Sequence, residues 1–474
     1  MGIYTSAATW SGITHAGVVS SMLLRNIIFA RFLSPIDFAT ALTFGLILSL
    51  FEYISNFGHE NLMQRSNSGD QRSFQATMHS AMILRGTIVA LIIVLVSPLI
   101  PTLLDLQHNE FNYAYLAIVP FINGFAHLDH QRLHRRQIYT VTAKIGLTAD
   151  ILSVFVALTC VLIWDNYWAF YVSFLFRHST STLLSHLWAR RPYALALATE
   201  HLKSLISFGL PLIIVGVLKY IGIEADKAIV ARVAGLETFA AYVLTLMLVV
   251  NGTNLVTLAL SKIFIRRVSI AGDHIVETVK SNGIIYCYLI LPLIFILGIL
   301  GEDLNLLIFG QQYTRVPFLI FTVCAVVGLR SLNQWLNQTV IGSAPTTLML
   351  IADVVRVCTA VIGISLVYAS NDVIKIAASF GFAELMYFIT LSVLINRRFS
   401  ILKVSLLIFA IYATSITALF ELYAISYQSS QTVKLSYTLT ALTLFYLTFL
   451  TISSTCRKQT VELLRFFSHY IRPN

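Results

Sequence analysis

Residues 226–242 read DKAIVARVAGLETFAAY, and residues 25–41 read RNIIFARFLSPIDFATA. Ala30 and Arg31 fall on Ala231 and Arg232, and Phe38 and Ala39 fall on Phe239 and Ala240, each 201 positions further on. A second pair of matches follows, because Ala149 and Asp150 correspond to Ala352 and Asp353 at an offset of 203. Similarity at a long fixed offset is the mark of an internal duplication. Six apolar segments separate the two copies, an even number, so the copies run parallel and are related by an axis along a membrane normal. That symmetry predicts a transport path between two halves.

Composition points to the same class. Of 474 residues, 57% are hydrophobic and 11% charged, against about 25% charged in a soluble domain. A bilayer-spanning helix needs roughly 20 mostly apolar residues, and such runs cover 7–30, 38–62, 76–103, 111–131, 141–164, 167–189, 205–230, 238–261, 282–300, 316–341, 347–368, 373–395, 404–423 and 435–455. The expected fold is therefore an all-α polytopic membrane protein of about 14 transmembrane helices. Two parallel six-helix repeats surround a central cavity, and two helices are appended. The expected divisions are an N-terminal bundle over 1–190, a connector at 191–204, a C-terminal bundle over 205–395, helices 13 and 14 over 404–455, and a tail over 456–474.

The net charge of +10 marks sidedness rather than nucleic-acid binding. Twenty basic residues fall in segments on the side of the chain ends, while only Arg31, Arg232, Arg315, Lys375 and Lys434 fall in the opposite loops. The positive-inside bias predicts cytoplasmic termini. The first apolar run carries Arg25 and lacks a basic n-region, which argues against a cleaved signal peptide. The five cysteines have no CxxC spacing, and neither a disulfide framework nor a metal site is expected from them.

The remaining bases lie inside predicted spans: Arg25, Arg85, Arg177, Lys219, Lys227, Arg330 and Arg356. They are met there by Glu52, Glu60, Asp150, Glu224, Asp226, Asp353 and Glu384. A charge at the bilayer centre costs about 2.5–3.5 kcal/mol even on an insertion scale, so these groups must face water or each other. One reading makes them structural bridges between helices. The other makes Arg25, Arg85, Arg177, Lys219, Asp226, Lys227, Arg330 and Arg356 the lining of a substrate cavity for an anionic headgroup, since arginine grips phosphate oxygens bidentately. Asp150, Asp226 and Asp353 are then candidates for binding a coupling ion or proton. Lys219 and Asp226, seven residues apart, should share one helix face.

His127, His130 and His134 in HLDHQRLHRR also share a face. Beside Arg132, Arg135 and Arg136 they read as an interfacial patch meeting anionic lipid heads rather than a metal site. No Walker A motif, dinucleotide fingerprint, HExxH or GxSxG is present. No enzyme and no cofactor is expected.

The stretch LLRNIIFARFLSPIDFATALTFGLILSLFEYISNFGHENLMQR, with Arg25, Leu33, Pro35, Gly58 and Arg65, resembles the opening of bacterial polysaccharide repeat-unit flippases. These form the oligosaccharide branch of the multidrug/oligosaccharidyl-lipid/polysaccharide exporter superfamily. SFGLPLIIVGVLKYIGIEADKAIVARVAGLETFAAYVL resembles that family's seventh helix, with Phe208, Gly209, Pro211, Asp226, Gly235 and Tyr242 at the matching places. Ala39 and Ala240 stand where glycine is expected. The resemblance implies export of undecaprenyl-pyrophosphate-linked oligosaccharide across the bacterial inner membrane by alternating access, for O-antigen, capsule or another surface glycan. It implies lipid-linked oligosaccharide and membrane lipids as partners, with polysaccharide polymerase machinery as a further one; action as a monomer is expected because a complete cavity can form within one chain. A cation-coupled multidrug antiporter of the same superfamily is the alternative.

Overall fold

The computed structural model describes residues 2–106, 111–136 and 138–426, with 433, 434, 436 and 438–440. The described chain divides into two compact units, one of residues 1–240 with 309–314, the other of residues 241–308 with those from 315 onward. The first unit holds α1 (Gly2–Phe32), α2 (Pro35–Ile54), α3 (His59–Arg65), α4 (Arg72–Val96), α5 (Ile100–Leu103), α6 (Ile118–Gly124), α7 (Asp129–His134), α8 (Thr140–Ile163), α9 (Tyr167–Leu187), α10 (Thr199–Ile223) and α11 (Ala225–Ala234). The second holds most of α12 (Leu236–Ser269) and α13 (Ile275–Phe309), then α14 (Leu319–Ser343), α15 (Thr347–Val367), α16 (Val373–Phe399) and α17 (Leu402–Ser426).

Local chemistry explains several helix starts. Ser34 accepts the Asp37 backbone N–H at 3.1 Å and Pro35 opens α2, where its missing N–H costs nothing. Asn166 and Asp372 cap α9 and α16 in the same way, accepting from Trp168 and Ile374. The outer faces are apolar: Leu95, Leu162, Leu307 and Leu366 are each at least 70% exposed. In water that pattern would aggregate; in a bilayer it is the lipid-facing surface.

Ten helices among the described residues are long and apolar enough to cross a membrane: α2, α4 continued through α5, α8, α10, and α12 to α17. Four of the fourteen expected spans are not among them: 7–30, which is helical as part of α1, and three others. The span expected at 435–455 lies almost wholly outside the described residues. α9 carries Arg177, His178 and His186, which depress its hydropathy. The run 111–131 is helical only over 113–124 before the chain turns and restarts as α7.

Two other expected helices are broken. The run 38–62 stops at Ile54, and Gly58 takes a left-handed φ of 63° before α3, with its N–H held by Asn56. The run 205–230 ends α10 at Ile223 and restarts as α11 through Glu224. Both breaks fall in short polar stretches, SNFG at 55–58 and EADK at 224–227, which the apolar residues on either side outweigh in a hydropathy window.

α10 packs on α2 within the first unit through small residues. A methyl group placed on Gly209 would come within 2.8 Å of the Phe57 carbonyl oxygen, so the two backbones meet with no room for a side chain. Gly216, seven residues on and hence on the same face, abuts Tyr53 in the same manner. Beyond α11, Tyr313 donates to the Ala30 carbonyl at 2.7 Å and Gln312 to that of Leu33 at 2.9 Å, fastening 309–314 to the end of α1.

The duplicated positions share their burial. Ala30, Phe38 and Ala39 are fully buried, and Ala231, Phe239 and Ala240 are at most 1% exposed. Asp150 and Asp353 are also both buried, on α8 and α15.

Candidate functional site: buried charge within each unit

In the first unit α1 packs on α8, and α8 on α9. This brings together Arg25, Asp150, Ser153 and Arg177. Arg177 grips Asp150 with two nitrogens, Nε to Oδ1 and Nη2 to Oδ2, the second at 3.4 Å. Arg25, 6% exposed, donates to Ser153 Oγ at 2.9 Å. Ser153 in turn donates to the Asp150 carbonyl at 2.7 Å, which fixes its oxygen as an acceptor for Arg25. The Nε of Arg25 finds no acceptor among the described residues. Arg177 holds the one carboxylate of this group while Arg25 is bonded to a neutral hydroxyl, and such a cationic excess is what an anion would relieve.

At the α10–α11 break, Lys227 pairs with Glu224, and the Lys227 backbone N–H donates to Asp226 Oδ1 at 2.9 Å. Asp226 is 2% exposed, whereas Lys219 stands exposed on α10. The break separates the two, so the single helical face expected for Lys219 and Asp226 does not exist.

The second unit builds its group on α14, α15 and α16. Glu384, 1% exposed, accepts from Arg330 Nε at 3.0 Å and Asn333 Nδ2 at 2.7 Å. Arg356 bonds Asp353 at 2.6 Å, lies 3.6 Å from Glu384, and stacks over the Tyr387 ring at 4.9 Å. Here two cations meet two carboxylates, and the group is balanced. Asp150 and Asp353, the duplicated pair, both end as arginine partners, but of opposite design: the arginine comes from the next helix in the first unit and from the same helix in the second.

Arg85 is placed elsewhere in the first unit. It pairs with Glu52 at 3.0 Å and donates to Ser55 at 3.0 Å, tying α4 to the end of α2. These two residues border a cavity of about 460 Å³ among α2, α4, α6 and α9.

The histidine-rich segment forms a junction outside the spans. Asp129, fully buried, accepts from Arg132 at 2.7 Å and from the Arg190 backbone N–H at 2.8 Å. Burial opposes its ionisation, but these bonds and the Arg132 charge outweigh it and hold its pKa below the carboxylate range. Asp70 receives Arg132, Arg136 and Arg191; burial again opposes, and the arginine bonds again prevail to lower its pKa. His127 donates to the Arg191 carbonyl at 2.9 Å and accepts the Asp129 N–H at 3.1 Å, while His130 bonds the His127 carbonyl and His134 bonds Thr142. The three rings expected on one face therefore serve separate partners.

Sequence reasoning did not single out Ser153 or the central role of Glu384. The signal for Glu384 was available, since a carboxylate amid SFGFAELMYF must find a cation. Its partners on α14 and α15 lie 54 and 28 positions away, distances that helical periodicity does not encode.

A bundle of membrane-length helices with charge groups buried in each unit defines a multi-pass membrane protein. The fold is that of the multidrug/oligosaccharidyl-lipid/polysaccharide superfamily. The chain matches a lipid II flippase, MurJ in an inward-closed conformation, at a TM-score of 0.67 and 15% identity, over 94% of this chain and 98% of that one. It matches an inward-facing multidrug resistance transporter of the same superfamily at 0.57 and 16% identity, over 83% and 96%. A eukaryotic multidrug transporter, AtDTX14, matches at 0.56 and 11% identity, over 88% and 100%. No curated protein matches the sequence. The chain belongs to the polysaccharide biosynthesis protein family, whose model matches residues 28–317.

Proposed function

We propose that the protein moves polyprenyl-pyrophosphate-linked oligosaccharide repeat units from the cytoplasmic to the outer leaflet of a bacterial inner membrane, with both termini cytoplasmic, for O-antigen or capsule assembly. The observation that carries this reading is buried Arg25, bonded to the neutral Ser153 hydroxyl, beside Arg177, which holds Asp150: two guanidinium groups with one carboxylate, a cationic excess fit for a phosphate group. Family membership and the fold shared with a lipid II flippase support it. Arg25, Arg177, Lys219, Asp226 and Lys227 of the first unit, and Arg330 and Arg356 of the second, are the groups proposed to meet the phosphates and sugars, while the lipid tail stays in the bilayer. An inside-negative potential assists, at about 2.3 kcal/mol per charge per 100 mV.

Asp150, Asp226 and Asp353 are the acids proposed for ion or proton coupling. Asp150 and Asp353 already neutralise arginines, so cation binding there requires an arginine to let go. The fold shared with multidrug transporters favours cation-coupled drug export as the second reading. Arg25→Ala and Asp226→Ala, expressed at normal levels in the native host, are expected to abolish surface polysaccharide. Undiminished polymer in both would remove these residues from the path, and acquired drug resistance on overexpression would favour the second reading.

A further inference from the structure

The 460 Å³ cavity of the first unit has a size typical of small-molecule sites, roughly 300–1,000 Å³. Its lining mixes polar and apolar groups. Ser49 and Glu52 on α2 and Ser55 just past its end, spaced three residues apart, are joined in the lining by Arg85, Asn123 and His178 from α4, α6 and α9. The same helices contribute apolar groups to the lining, chiefly Phe51, Met82, Val119 and Phe174.

The hydrogen-bonding inventory of the polar groups is mixed and their net charge is zero. Arg85 and Glu52 cancel each other at 3.0 Å. Arg85 spends Nε on Ser55 and Nη2 on Glu52, leaving N–H donors beyond those bonds. His178 donates from Nδ1 to the Asn123 side-chain oxygen at 3.1 Å, which leaves His178 Nε2 an acceptor and the Asn123 amide nitrogen a donor. Phe174, its ring 4.6 Å from that of His178, supplies a flat apolar wall. Phosphate would find a carboxylate in its way, and a lipophilic cation would find a guanidinium. A neutral pyranose satisfies both kinds of group, because its hydroxyls donate and accept while its C–H face lies on an aromatic ring.

We infer that this cavity is a binding site for a neutral sugar residue. That it serves as a glycan subsite of transport rests on the function proposed above; that it takes a pyranose rests on the lining alone.

Gly45 provides the test, since a methyl group built there meets nothing within 4 Å and a larger side chain would enter the open space. Full-length protein in lipid nanodiscs is titrated with methyl glycosides of neutral hexoses and N-acetylhexosamines by saturation-transfer NMR, with inorganic pyrophosphate and tetraphenylphosphonium as contrasting probes. At least one methyl glycoside is expected to bind. Gly45→Leu should weaken it at least about tenfold, and Asn123→Leu also about tenfold, the equivalent of about 1.4 kcal/mol. Asn123→Leu carries the test alone if Gly45→Leu does not yield monodisperse protein. The inference is overturned if no glycoside binds, if neither substitution weakens binding, or if pyrophosphate or tetraphenylphosphonium is what they displace.

Leaflet transport of lipid-linked oligosaccharide, assayed in parallel, separates the two claims. Glycoside binding by a wild type that moves no such lipid would refute the transport reading and leave the sugar site standing. Full-rate transport by a Gly45→Leu protein that has lost glycoside binding would refute the subsite's place in transport.

Discussion

Glu384→Ala tests how the second unit tolerates its buried charge. Glu384 is 1% exposed and serves Arg330 at 3.0 Å, Asn333 at 2.7 Å and Arg356 at 3.6 Å. Arg356 keeps Asp353 when it is removed. Arg330 loses the carboxylate that its Nε holds, with its side chain only 18% exposed. Removing one partner of a buried ion pair typically costs about 3–5 kcal/mol, because the other charge is left desolvated. Glu384→Leu combined with Arg330→Met removes both charges and should recover most of that loss, since a well-packed apolar pair is often as stable as a buried bridge. Glu277→Ala, at an exposed pair with His274, should change stability by about 0–1 kcal/mol. Unfolding in mixed micelles titrated with dodecyl sulfate can be followed through tryptophan fluorescence, with Trp335 fully buried on α14. A Glu384→Ala protein as stable as the Glu277→Ala control, or a double variant no more stable than Glu384→Ala, would refute the reasoning.

Other expectations follow from single contacts. Gly216→Val should separate α10 from α2, because even a methyl group there collides with Tyr53 backbone atoms; the measure is a lowered melting temperature in detergent, and an unchanged one would contradict the close packing. Arg25→Lys should keep the charge but lose the planar fork, so polysaccharide output is expected between those of wild type and Arg25→Ala; full output would argue against bidentate contact. Stability should fall on acidification in two stages. Burial pushes the His127 imidazole below its ordinary pKa despite its bond to Arg191 and the Asp129 charge, so its contribution is intact above the unfolded value near 6.5 and erodes as pH falls below it. Asp129 and Asp70, both with lowered pKa values, contribute fully above the unfolded carboxylate value of about 3.9 and lose that contribution as pH drops through their folded values. Melting curves of wild type and His127→Gln between pH 7.5 and 5 check the first stage: the variant should be flatter, and identical curves would exclude His127 as the cause.

The helical class was legible because apolar run length is a property of contiguous sequence, and α8, α14, α15 and α16 begin within about three residues of where hydropathy puts them. The breaks at Ser55–Gly58 and Glu224 were passed over because their short polar stretches, SNFG and EADK, lie within longer apolar runs; Ser55, Asn56 and Gly58 are a turn signal that run length alone ignores. The duplication led directly to Asp150 and Asp353. What each acid meets was not readable, because Arg177 comes from a neighbouring helix while Arg356 sits one turn away on the same helix. Among the candidate residues, Arg25 and Arg177 are brought together with Asp150, and Arg330 and Arg356 with Glu384. Lys219 and Arg85 belong to neither group, the latter being engaged with Glu52.

The central claim is that this protein carries lipid-linked glycans across a bilayer. Its most direct test is to reconstitute the purified protein into sealed liposomes containing polyprenyl-pyrophosphate oligosaccharide from the native host, then follow the accessibility of the glycan to an added, membrane-impermeant glycosidase. The account predicts that wild-type protein exposes the inner-leaflet pool at a rate that Arg25→Ala abolishes. An inner pool that stays protected with wild-type protein, under an imposed membrane potential and in its absence, would contradict it.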